Sequence, residues 1–247
     1  MANFAPLKRH MLACLDRFVR RHGLADPFLE VGCGRGDVSA HLAARGWRGL
    51  AIDFSEAAIA GARDALARYP QVSVRHAALE DVDGRYRTVL MWDVLEHIED
   101  DAAALARVSR LLEPGGHLLL AVPSNPREWR WDDDFYGHVR RYTVEGLERK
   151  LADAGFVAVA FEDFTFPMYW AMRRAYTRWK RPVVPTGDAA AATKASATQS
   201  AWTMPMVSGV LDRSAALWAP ANRLQHALFR HATARGHEFF ALARKPG

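Results

Sequence analysis

Apolar positions along the chain fall into two rhythms that take turns. Leu7, Met11, Leu15 and Phe18 recur at helical spacing within Pro6–Arg21, with basic residues between them, which predicts an amphipathic helix. A continuous apolar run, Phe28–Val31, follows and reads as a buried strand. Gly32, Gly34 and Gly36 then occupy every second position, and Val38, Leu42 and Ala43 restart a helical pattern that ends at Gly46. Asp37 and Ser39 are candidate caps for that helix.

The alternation continues. Trp47–Phe54 predicts a second strand that closes on Asp53; Ser55 can cap a helix running to about Tyr69, and Pro70 stops it. Further strands are expected at Gln71–His76, Arg87–Met91, His117–Pro123 and Phe156–Phe164, with helices at Ala102–Leu112 and Val144–Ala154. Glu113–Gly116 reads as a turn. Strands alternating with helices predict an α/β domain with a largely parallel sheet.

The last strand does not follow promptly. Its best match is His237–Arg244, so residues 166–235 form an insertion between the sixth and seventh strands. Phe166–Arg181 predicts a helix with Tyr169, Met172, Tyr176 and Trp179 on one stripe. Residues 186–201 are small and polar and read as a flexible linker. Met204–Ala219 and Ala221–Ala234 predict two more helices separated by Pro220. The main domain is then 1–165 plus 236–247.

Composition bounds the class without choosing the chemistry. Half of the 247 residues are apolar and 25% are charged, as in ordinary soluble domains. The net charge of +5 suits a mildly basic enzyme, and no nucleic-acid-binding motif accompanies it. The two cysteines, Cys14 and Cys33, show neither zinc spacing nor a disulfide framework, which favours a reducing compartment. No run reaches the roughly 18 apolar residues of a spanning helix. A cytoplasmic protein is expected, with peripheral membrane contact as an option for the insertion.

The glycine loop carries the first chemical clue. Glycines allow positive φ and close backbone approach to a ligand. Their spacing is G-x-G-x-G, with Asp37 where a dinucleotide loop needs its third glycine, so a nucleoside without a pyrophosphate fits better. Asp53, at the end of the second strand, can accept from both hydroxyls of a ribose.

Glu30–Gly36 resembles the first motif, acidic-x-Gly-x-Gly-x-Gly, of the class I S-adenosylmethionine (SAM)-dependent methyltransferases. Leu95–Ile98 (Leu-Glu-His-Ile), Leu112–Gly116 (Leu-Glu-Pro-Gly-Gly) and Tyr136–Thr143 (Tyr-Gly-His-x-Arg-Arg-Tyr-Thr) resemble later segments of the family, closest to the ubiquinone-biosynthesis O-methyltransferase branch. The resemblance implies a Rossmann-like seven-stranded sheet of order 3-2-1-4-5-7-6, strand seven antiparallel, with helices on both faces. It implies SAM as cofactor and S-adenosylhomocysteine as product. The residues it places around SAM are Glu30, Gly32, Cys33, Gly34, Gly36, Asp53 and Phe54, then Leu79 and Glu80 at the adenine, and Trp92 and Asp93 near the methionyl part.

On the acceptor side the resemblance points to Tyr136, Arg140 and Arg141 as substrate contacts, and to His138, His97 and Tyr142 as catalytic candidates. An arginine pair suits a carboxylate or phosphate, or it pairs with Asp132–Asp134 and only staples the loop. Histidine is the usual base near neutral pH; His97 could instead brace the next helix. No metal site is expected. The implied reaction is methyl transfer to a small-molecule or lipid-like, carrier-bound acceptor, through a hydroxyl oxygen. Transfer to carbon or nitrogen, and a non-catalytic SAM-binding subunit, are the alternatives. The insertion could cap the substrate, form a homodimer face or rest on a membrane.

Overall fold

The computed structural model describes residues 5–180 and 218–247. In chain order the elements are α1 (Ala5–His22), β1 (Phe28–Val31), α2 (Asp37–Ala43), β2 (Gly49–Asp53), α3 (Glu56–Leu66), β3 (Val72–His76), β4 (Tyr86–Trp92), α4 (Asp101–Leu111), β5 (Leu112–Pro123), α5 (Trp131–Tyr136), α6 (Val144–Asp153), β6 (Val157–Asp163), α7 (Met168–Trp179), α8 (Trp218–Phe229) and β7 (Glu238–Arg244). One seven-stranded sheet runs β3-β2-β1-β4-β5-β7-β6, as the resemblance implies. β3, β2, β1, β4 and β5 pair in parallel, and β7 lies antiparallel between β5 and β6.

Side chains alternate across each strand, and both faces are covered. Leu29, Val31, Met91, Leu120 and Phe239 face α4 and α6, where Leu105, Val108, Leu147 and Leu151 meet them. Phe28, Ala51, Leu90, Leu119 and Phe240 face the other way, onto Leu15 and Phe18 of α1, Val38 and Leu42 of α2 and Ile59 of α3. Burial on both sides explains why these strands read as unbroken apolar runs. Phe239 and Phe240 are fully buried on opposite faces, each worth about 1.5–3 kcal/mol of transfer free energy.

Helix starts follow local chemistry. Ser55 Oγ accepts from Ala58 N–H at 3.4 Å, Asp100 Oδ1 from Ala103 N–H at 2.9 Å, and Thr143 Oγ1 from Gly146 N–H at 3.0 Å. α2 differs from the expectation that Asp37 or Ser39 caps it. Its cap is Gly36, in the left-handed region at φ 78 with no side chain to offer. The third-residue amide, Ser39 N–H, is taken by Glu30 from β1 at 2.9 Å.

Three further expectations are corrected. The segment after Trp129 is not an open loop: Trp131–Tyr136 forms α5, ended by Gly137 at φ 76. Glu113–Gly116 is a kink inside β5, with Gly115 at φ 77, not a separate turn. Pro220 does not separate two helices but sits within α8. The expected linker at 186–201 and all but the last two residues of the helix expected at 204–219 lie outside the described residues. Among the described residues, no helix is long and apolar enough to cross a membrane.

Candidate functional site

The carboxyl ends of β1, β2 and β4 converge on one edge of the sheet, where open α/β folds take their ligands. Gly32, Gly34 and Gly36 have φ of 69, 54 and 78, a region L side chains rarely enter. Gly32 has a second requirement: a Cβ there would lie 2.4 Å from Val94 Cγ2, in the segment after β4. The loop after β1 and the loop after β4 therefore close on each other.

Two carboxylates shape the glycine loop. Asp53 Oδ2 accepts from Gly34 N–H at 2.9 Å and Oδ1 from Ser55 N–H at 2.8 Å. Each oxygen keeps a lone pair for a ligand hydroxyl. Glu30, buried under the loop, accepts from Ser39 N–H and from the Ser39 hydroxyl. Burial pushes its carboxyl up to about 8, with the Ser39 bonds pulling the other way. Cys33 is buried too, its thiol raised by burial.

The other residues expected around the cofactor differ in exposure. Phe54 stands half-exposed beside Asp53, Leu79 is buried in the core, and Glu80 is exposed. Trp92 is buried, its ring edge-on to Phe240 at 5.0 Å, and its Nε1–H has no hydrogen-bond partner. Asp93 is in the left-handed region at φ 52, an uncommon state for a side-chain-bearing residue that clusters at functional sites. Its Oδ1 is buried without a partner.

Beside Asp93 lies a set of groups gathered from two segments of the chain. His138 Nδ1 meets Asp133 Oδ1 at 2.8 Å, and His138 Nε2 lies 3.9 Å from Glu96 Oε1. The His138 ring stacks on Tyr136 at 6.0 Å and stands edge-on to His97 at 4.8 Å. His97 Nδ1 bonds the Gly137 carbonyl at 3.3 Å, and Val139 N–H donates to Glu96 O at 3.0 Å. The post-β4 segment and the segment carrying His138 are thus laced together.

The electrostatics of this set separate its members. Burial, with repulsion from Asp93, holds the Glu96 carboxyl well above the usual carboxylate range; burial does the same to Glu238 and raises Asp93. Burial would also raise Asp133, but the His138 hydrogen bond and the Arg141 and Arg173 guanidinium groups hold it well below. Burial, with His138 nearby, lowers His97 to about 3. Glu96, His97 and His138 have donor atoms close enough to hold a cation.

Arg140, Arg141 and Tyr142 are each engaged within the protein. Arg140 pairs with Asp101 at 2.8 Å and donates to the Ile98 and Glu99 carbonyls. Arg141 is buried, donating to Asp133 Oδ1 at 2.8 Å and to the Ser124 and His237 carbonyls. Tyr142 OH donates toward Asp101 Oδ2 at 3.0 Å and Leu95 O at 3.2 Å. Arg173 of α7 joins them: its guanidinium takes both Asp132 oxygens, at 2.6 and 2.8 Å, and Asp133 Oδ2 at 2.8 Å.

The alternative in which the arginine pair meets Asp132–Asp134 holds for Arg141, which bonds Asp133, and not for Arg140, which bonds Asp101; the contact of Asp133 with His138, and the parts taken by Glu96, Glu238 and Arg173, were not foreseen. Asp133 lies five residues before His138, an interval a reader of the sequence can test once a helix and a left-handed glycine are placed between them. Glu96 stood inside a noted segment. Glu238 and Arg173 come from distant parts of the chain and carry no local signal.

The methyltransferase domain family matches residues 5–160. A probable S-adenosylmethionine-dependent methyltransferase of Mycolicibacterium smegmatis is 35% identical over 135 residues, 52% of this chain and 51% of that protein. A ubiquinone biosynthesis O-methyltransferase of Alkalilimnicola ehrlichii is 35% identical over 107 residues, 41% of this chain and 43% of that protein. The chain spans about half the length of the curated relatives it matches. Among solved structures, geranyl diphosphate C-methyltransferase from Streptomyces coelicolor superposes with a TM-score of 0.60 at 16% identity, covering 94% of this chain and 79% of that one. Magnesium protoporphyrin IX methyltransferase from Synechocystis gives 0.53 at 21% identity, covering 63% and 75%. At such identities the likeness is one of fold. The sheet order, the glycine loop with its two carboxylates and the match over residues 5–160 agree: the chain belongs to the methyltransferase domain family.

Proposed function

We propose that the protein is a SAM-dependent methyltransferase that methylates a hydroxyl oxygen of a small-molecule or lipid-like acceptor. The observation that carries this reading is the Asp133–His138 pair at 2.8 Å, beside the loop after β4 and next to a glycine loop held by Asp53.

The chain's residues fit the cofactor. SAM is a cation with a ribose and an adenine. Asp93 offers a buried, unpartnered oxygen on its side of the site, suited to a cationic group. Asp53 is the ribose acceptor, and Gly32 and Gly34 let the backbone come close. Glu30 acts indirectly, since its Oε2 holds Ser39 and so fixes the start of α2. Bound there, SAM supplies an electrophilic methyl group.

The protein's own part is positioning and proton removal. A phenolic hydroxyl has a pKa of about 10, so its proton must leave as the oxygen attacks. His138 accepts it at Nε2, because Asp133 fixes the other ring nitrogen as the donor. His97, lowered to about 3, is too weak a base and instead walls the site. Arg140, Arg141 and Tyr142 act as positioning residues for the His138 segment, a role consistent with their internal partners. Trp179, Leu224 and Leu228 are exposed on α7 and α8, which supports an apolar acceptor or surface meeting the insertion.

Calorimetry with SAM and S-adenosylhomocysteine, followed by isotopic methyl labelling of a panel of phenols and lipid-like alcohols, tests the reading. Heat with both compounds and label on oxygen are expected. No heat with either overturns it. Label on carbon or nitrogen assigns the acceptor to another class, and binding without any transfer assigns a non-catalytic subunit.

A further inference from the structure

α1 presents two potential metal ligands on one face. His10 and Cys14 are four residues apart, one helical turn. α8 brings His226 against them, and one donor atom from each of the three lies within 4.8 Å of the others. All three are buried: His10 is 2% exposed, Cys14 0% and His226 7%. His10 Nε2 is 3.9 Å from Cys14 Sγ, and the two imidazoles meet edge-on at 6.2 Å. None of these residues belongs to the site at the carboxyl ends of the strands.

The surroundings resemble a built ligand shell. In metal sites an imidazole that binds through one nitrogen gives the other to a carboxylate or carbonyl, which fixes its tautomer. His226 Nε2 lies 3.1 Å from Glu162 Oε2, and its Nδ1 is buried with no hydrogen-bond partner. The His10 ring hydrogen-bonds the Phe164 backbone. An orphaned buried nitrogen costs about 1–3 kcal/mol, and a cation would satisfy it.

The protonation state of His10 fits, and that of Cys14 must change on binding. Burial, with Arg17 and His226, lowers His10 to about 3, so its ring is neutral and keeps a lone pair. Burial pushes the Cys14 thiol up to about 12, against the pull of Arg17, which donates to Sγ at 2.7 Å. The thiol therefore keeps its proton without a metal and releases it to solvent on binding one, while the Arg17 hydrogen bond steadies the thiolate.

We propose that His10, Cys14 and His226 bind a zinc ion that pins α8, the last described helix of the insertion, to the N-terminal helix. Two imidazoles and a thiolate suit this borderline-soft ion. The fourth position is left for water. Sequence spacing does not announce the site because its third ligand is far along the chain, on a different helix.

Cobalt added to the metal-stripped full-length protein is the probe. A thiolate-to-cobalt charge-transfer band is expected, absent in Cys14→Ser and retained in Cys33→Ser. The Glu96, His97 and His138 group has no sulfur and cannot give that band. Zinc should raise the Tm of the stripped protein, and Glu162→Gln should weaken zinc binding by about 10- to 100-fold. X-ray absorption of the zinc-loaded wild type, which needs no variant to fold, should count one sulfur and two imidazoles. No charge-transfer band, a band that survives Cys14→Ser, or a zinc shell without sulfur overturns the proposal.

Discussion

Asp133 Oδ1 serves two donors at once: His138 Nδ1 at 2.8 Å and Arg141 Nε at 2.8 Å. The carboxylate thereby orients the imidazole while Arg141 and Arg173 keep it ionised. His138→Ala should lower the rate of methyl transfer by about 10²- to 10⁴-fold, the usual contribution of a positioned base. SAM affinity should stay within a factor of about two, because the ring touches none of the groups assigned to the nucleoside. Single-turnover labelling and calorimetry check this together; an equal loss in both would remove His138 from the base role.

Asp53 holds the glycine loop and is assigned the ribose. Asp53→Ala should reduce affinity for S-adenosylhomocysteine by about 10- to 100-fold, since hydrogen bonds to a charged group contribute about 1.5–3 kcal/mol each. Titration calorimetry reads the change directly. Unaltered affinity would move the ribose elsewhere.

At Gly32 two costs can be separated. Gly32→Ala forces a side chain into φ 69 and against Val94 Cγ2. The backbone part is about 1–3 kcal/mol. Adding Val94→Ala removes the clash and leaves the backbone cost, so the double variant should regain part of the stability lost in denaturant melts. Full recovery would mean the positive φ matters little.

Glu30 gives a pH dependence with a definite sign. Its folded-state value of about 8 stands above the ordinary 4.5, so between these limits the native state holds a proton that the unfolded chain releases. Its contribution is complete below the lower value and is lost as pH rises through the upper one. Relative to Glu30→Gln, which keeps a neutral side chain, the wild type should lose stability between about pH 5 and pH 9. Urea melts of both proteins across that range decide it; a constant gap would show that Glu30 titrates normally.

Arg173 fastens the insertion to the substrate-side segment through Asp132 and Asp133. Arg173→Met leaves two buried carboxylates short of a partner and should cost about 3–5 kcal/mol. A loss below about 1 kcal/mol in equilibrium unfolding would mean that the carboxylates find other partners or take up protons.

Much of this frame could be read from the sequence because its signals are local. Strand runs, the glycine spacing, Asp53 at a strand end and Ser55 as a cap each depend on a few adjacent residues. The substrate side was harder. Asp132–Asp134 looked like a charged loop, and only tertiary pairing with Arg141 and Arg173 lets that acidic stretch bury itself as α5. Arg140 and Tyr142 read as site residues because nothing nearby in sequence reveals Asp101, the partner they share. Pro220 read as a break because a proline stops a helix interior, yet Trp218–Phe229 is helical on both sides of it.

The antiparallel pairing of β6 with β7 has a consequence for the chain between them. At Gly236 a Cβ would collide with the Asp163 carboxylate, so the strand leaving the sheet and the strand re-entering it share one doorway. Because β6 and β7 are already paired antiparallel, the intervening chain can be swapped, shortened or elaborated without disturbing a single rung of the ladder. What any such replacement must keep is Arg173, because its guanidinium reaches out of the insertion to Asp132 and Asp133.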